Sequence, residues 1–120
     1  MIYYLLFAIM SGYLEGYFWA AYPPVSQRWS HVALTILRAI VLFPIVWYVG
    51  WLEAISVALM FPMLHDGAYY KTREHIRPGT YPNGWLDHSK ETGAIFSFQF
   101  PARLILFLVG FTLYLICLTR

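Results

Sequence analysis

Residues 61–76 read FPMLHDGAYYKTREHI. The stretch begins like the inside of a membrane and ends like a charged surface. The change comes at His65–Asp66, two ionisable residues set directly behind an apolar run. If a helix carries on past Leu64, then His65, Asp66, Tyr69 and Arg73 share one face, because residues three and four apart are neighbours on a helix. Gly67 is tolerated in such a helix at some cost. How far that helix runs decides how many times the chain can cross a bilayer.

The whole chain fits the membrane reading. Of 120 residues, 60% are hydrophobic and only 12% charged, whereas soluble domains carry about 25% charged residues. The mean hydropathy is +0.57. A soluble chain of this size has too little interior to hide so much apolar surface. The net charge of +2 is too small to argue for nucleic acid as a partner. The single cysteine, Cys117, excludes an intrachain disulfide. The N-terminus has no basic n-region and no small-residue cleavage site, so it reads as a retained helix.

A membrane helix needs about 20 residues. Working outward from 61–76, the apolar pattern predicts helices at about 2–22, 31–49, 51–73 and 96–118, with a polar cap loop at 74–95. Gly50 separates the second and third runs, which together are too long for one crossing, and predicts a tight helical hairpin. The alternative is three spans with 52–64 re-entrant. The expected fold is a compact all-α bundle of four transmembrane helices in one domain, with a structured cytoplasmic loop. Positive residues favour the cytoplasmic side. Seven of the eight Lys and Arg lie on or nearest loops 23–30 and 74–95; Arg120 is the exception. Both termini are therefore expected outside and the two loops cytoplasmic. A bacterial or phage-encoded inner-membrane protein fits this layout, with the lipid bilayer as its first partner. At this size a homo-oligomer or a subunit of a larger membrane complex is expected.

Ala8, Gly12, Gly16 and Ala20 recur every four residues, a stripe that lets helix backbones approach closely. Glu15 lies on the edge of this stripe and is expected to face protein. Ionisable residues within a span are functional candidates by default. For Glu15 the structural reading is a pair with Arg38 or Arg103. The functional reading makes it a ligand, a base or an ion site.

The cap loop has turn sequences at Arg77–Pro78–Gly79 and Tyr81–Pro82–Asn83–Gly84. It then presents a second pair, Asp87–His88. Its Tyr81, Trp85 and Leu86 suggest an ordered cap folded back over the bundle. Imidazole and carboxylate suit a divalent transition metal, and ligands can be drawn from His65, Asp66, His75, Asp87 and His88. The spacing matches no established metal motif, and HExxH is absent. Glu15, Tyr69, Arg73 and Arg103 are the candidates for an anionic or polar ligand. The structural alternative makes all of these interfacial residues bonded to helix ends or lipid phosphates.

Three functions stay open. The leading one is a small polytopic membrane protein with a His/Asp-rich ligand or metal site at the cytoplasmic face, its use in catalysis undecided. The others are an oligomeric channel, transporter or pore former with Glu15 lining the path, and a structural accessory subunit.

Overall fold

Gly50 does what an interrupting glycine between two apolar runs predicts. It takes φ 146°, a conformation that costs glycine little, and its N–H bonds the Ile45 carbonyl at 2.9 Å. The chain reverses there with no longer loop. The computed structural model describes residues 1–21, 27–87 and 98–120. Among these are four α-helices: α1 (Ile2–Ala21), α2 (Gln27–Tyr48), α3 (Trp51–Ile76) and α4 (Phe100–Thr119). A short 3-10 turn spans Gly84–Leu86. The fold is all-α and compact, with a radius of gyration of 14.6 Å.

The helix bounds differ from the apolar runs in instructive ways. α2 begins at Gln27, inside the expected loop 23–30, and α3 runs past residue 73 to Ile76. A helix needs backbone hydrogen bonds rather than apolar side chains, so it carries on where apolarity stops. The remainder of loop 23–30 lies outside the described residues, as do the His31 side chain and the cap segment 88–97. Among the described residues one helix, α4, is long and apolar enough to cross a membrane, with a mean hydropathy of 2.1. The apolar part of α2, Val32–Tyr48, is shorter.

α3 is the axis of the bundle. α1 and α4 pack closely along it, and α2 packs against it lightly. The close approaches are made by glycines. A Cβ on Gly12 would overlap the His65 carbonyl, and one on Gly16 would lie 2.8 Å from the Thr72 Cβ and the Tyr69 oxygen. A Cβ on Gly110 of α4 would come within 2.5 Å of the Ser56 oxygen. Backbone contact of this kind strengthens dispersion attraction between the helices.

Tyr4, Ile45, Ala54 and Val57 form one buried cluster, with Met1 and Tyr114 packed against it. Arg120 pairs with Glu53 at 2.8 Å. Both chain termini therefore lie at the hairpin end of the bundle. The opposite end holds a second cluster of Tyr69, Tyr70 and Tyr81.

The cap between α3 and α4 is built from short-range bonds. Both Glu74 carboxylate oxygens accept from the Gly79 N–H, and one also accepts from the Tyr81 N–H at 2.8 Å. Gly79 at φ 92° and Gly84 at φ 56° allow the two turns. The Trp85 indole lies directly over Gly67, so this helical glycine leaves the room that the ring occupies.

The glycine contacts lead to a test in detergent. Gly12→Leu and Gly110→Leu should each lower stability by roughly 1–3 kcal/mol or more through overpacking. Ala39→Leu, on an exposed part of α2, should change it little. Equal melting temperatures for all three variants would contradict the packing described.

Candidate functional site

Three helices bring charge to one place. Gly12 and Gly16 draw α1 against α3, and Glu15 between them reaches the level of His65. Arg38 comes across from α2. Its Nη2 donates to Glu15 Oε1 at 2.9 Å and to Oε2 at 3.0 Å. His65 Nε2 lies 3.1 Å from the same Oε1, and His65 Nδ1 lies 2.9 Å from Asp66 Oδ1. Side-chain exposure is 11% for Glu15 and 6% for His65. It rises to 23% for Arg38 and 22% for Asp66.

These distances have a coherent hydrogen-bond reading. An imidazolium donates from both ring nitrogens, one to Glu15 and one to Asp66. Arg38 Nη2 then stands 3.0 Å from Nε2 because both donate to one carboxylate oxygen. A neutral ring would leave one of its two carboxylate contacts without a proton. Aromatic faces back the cluster. His65 stacks on Phe61 with centroids 4.9 Å apart, and the Arg38 guanidinium sits 5.1 Å from the same ring centroid.

Arg103 forms a second site of buried charge. It is fully buried at the start of α4. Its Nη2 donates to the Trp85 carbonyl at 2.7 Å and to the Asp87 carbonyl at 2.6 Å. Its guanidinium lies over Tyr70 and Phe100. Asp66 and Asp87 are the carboxylates whose charge acts on it. Arg103 thus ties the cap to α4 through backbone oxygens. Arg73 donates to the Tyr69 hydroxyl at 2.7 Å and also lies over the Tyr81 ring.

The sequence candidates therefore divide. Glu15, His65 and Asp66 are brought together. Tyr69 and Arg73 lie one and two turns further along α3, in the tyrosine cluster. Asp87 is buried and accepts from the Asn83 N–H at 3.3 Å. His75 is exposed in the last turn of α3, about 15 Å along the axis from His65 at the helical rise. His88 lies outside the described residues. Among the described residues no group of three or more His, Cys, Asp or Glu is gathered to hold a metal ion. The reason is geometric: Glu15 and Asp66 meet opposite nitrogens of the His65 ring and do not converge on one point. His65 also lies well inside α3, and the helix end comes only at Ile76.

Arg38 stood out in the sequence as an ionisable residue within a span and a partner for Glu15, and in the structure it also lines a cavity. The cavity measures about 460 Å³ and is bordered by Thr35 and Arg38 of α2, Leu59, Phe61, Pro62 and Asp66 of α3, and Leu106 of α4, with Tyr4 and Phe98. Its walls are apolar, and its charged groups are Arg38 and Asp66. The one available sequence signal was Arg38 itself, an arginine inside an apolar run. No protein-family model, curated protein or solved structure matches the chain.

Glu15 and Arg38 should be strongly coupled. Removing either partner alone strands a mostly buried charge and should cost ~2–4 kcal/mol after allowance for the partial exposure of Arg38. Glu15→Ala with Arg38→Ala should cost less than the sum, with a coupling of about 1 kcal/mol or more. Simple additivity in a double-mutant cycle would show that the pair contributes nothing to the bundle.

Proposed function

We propose that the chain is a four-span membrane protein that binds a small amphiphilic ligand between α2, α3 and α4. The observation that carries this reading is the cavity itself, largely apolar along its walls, with Arg38 and Asp66 as the charged groups on its lining. Pockets of a few hundred Å³ with a small number of placed polar groups are the usual form of a small-molecule site. The polar groups are held by a network across three helices, which keeps their geometry fixed.

The membrane setting has its own support. Large apolar side chains are exposed on every helix, among them Leu14, Ile40, Ile55 and Ile105. In water so broad an apolar surface would drive aggregation; in a bilayer it faces lipid chains. Trp47, Tyr48 and Trp51 are strongly exposed at the hairpin, where an interfacial aromatic belt would lie. The four helices have 20, 22, 26 and 20 residues, or roughly 30–39 Å at the helical rise. That matches a hydrocarbon core of about 30 Å. The charge bias supports termini outside and the cap loop cytoplasmic. Glu15 points at Arg38 and His65, so no observation favours a pore lined by it.

Two measurements test the proposal. Reporter fusions at Arg120 and within the Pro78–Gly84 turns should give opposite sidedness; the same side for both would remove the four-span layout. Native mass spectrometry of protein released from nanodiscs should show a retained small amphiphile. Retention should fall in Asp66→Ala and stay unchanged in Glu53→Ala, at the hairpin end. If no amphiphile is held by either form, the binding reading fails.

A further inference from the structure

The proposed cavity can be read more closely, because its polar groups constrain the ligand. We infer that it takes an uncharged amphiphile whose head both accepts and donates hydrogen bonds, such as an alcohol or amide on an apolar chain. This inference rests on the binding reading above.

The first argument is charge balance. Two carboxylates, Glu15 and Asp66, face two cations, Arg38 and His65 in the imidazolium form that satisfies both carboxylates. The sum is zero. Arg103, beyond Asp66, has Asp87 as a further carboxylate acting on it. A charged head would add a net charge beside largely apolar walls, where an unbalanced charge is costly. The second argument is hydrogen bonding. Arg38 Nε is buried without a hydrogen-bond partner among the described residues, and it belongs to a side chain that lines the cavity. A buried donor left unpaired costs stability, so an acceptor in the head improves the site. Asp66 lines the same space as a carboxylate, which can only accept when ionised. The head that fits both residues carries an acceptor and a donor. The third argument is the wall. Leu59, Phe61, Pro62 and Leu106 offer no polar side-chain atom, so the rest of the ligand is apolar.

Competition between heads on one chain tests this. Hexadecanol bearing a diazirine is cross-linked to the full-length protein in phosphatidylcholine nanodiscs, and labelled peptides are read by mass spectrometry. Saturable labelling is expected within residues 58–66 or 98–106. Unlabelled hexadecanol should displace it about tenfold better than hexadecyl phosphate or hexadecylamine at equal membrane fraction. Asp66→Leu removes the acceptor that the donor of the head would meet, so hexadecanol should lose most of its advantage over the charged heads there. Its melting temperature shows whether that variant folds; the wild-type ranking decides the question without it. If phosphate or amine competes as well as the alcohol on the wild type, the uncharged head is wrong while the binding site stands. If no head gives saturable labelling at the cavity, both this inference and the binding reading fall.

Discussion

Glu15 is tolerated inside an apolar bundle because Arg38 and His65 meet it there, and the arrangement of α1, α2 and α3 follows from that meeting. A lone carboxylate at this depth would be expensive. Two donors on one carboxylate group, backed by the Phe61 ring, replace the lost water. The pair needs α1 and α3 almost in backbone contact, which Gly12 and Gly16 allow. Packing and electrostatics thus depend on each other. Larger residues at 12 or 16 would push Glu15 away from His65, and loss of Glu15 would leave Arg38 and His65 without the carboxylate they share.

At the other end the same logic uses backbone in place of carboxylate. Arg103 is fully buried and holds the cap by the carbonyls of Trp85 and Asp87. Trp85 in turn fills the space left by Gly67, and Glu74 shapes the turn before it. The cap is therefore fastened to α3 by side-chain fit and to α4 by hydrogen bonds.

Much of this was legible in the residues, and the rest was not for definable reasons. Gly50 between two apolar runs announced the hairpin. The small-residue stripe announced the face of α1 that meets another helix, and Glu15 on its edge pointed inward. Arg38 was visible as a partner for Glu15, but a cavity depends on gaps between side chains of separate helices, and sequence spacing carries no record of gaps. The apolar run stops at Leu64, yet the helix was expected to about residue 73, and the backbone carries it on to Ile76, since Tyr, Lys, Thr, Arg and Glu are all acceptable in a helix. The contacts of Arg103 were hidden because carbonyl acceptors have no residue signature. Gly67 looked like a small cost to the helix; its partner Trp85 is too distant in sequence for a local pattern to reveal. The set of five metal candidates was chosen for donor chemistry, and donor chemistry does not say which way each side chain points.

The light packing of α2 gives the bundle a mechanical character. Near Gly50 the helix is seated firmly, with Ile45 almost fully buried. Beyond that, Ile36, Leu37 and Ile40 are exposed, and the clearest inward fastening is Arg38. Arg38 lies roughly 10 Å along the helix from Ile45, at 1.5 Å per residue, so α2 is held both beside the hairpin and at the charged cluster. Whatever competes for the hydrogen bonds of that guanidinium weakens the hold at the cluster. The same side chain lines the cavity, so on the proposed binding reading occupancy of the cavity and the seating of α2 would bias each other by the same free energy.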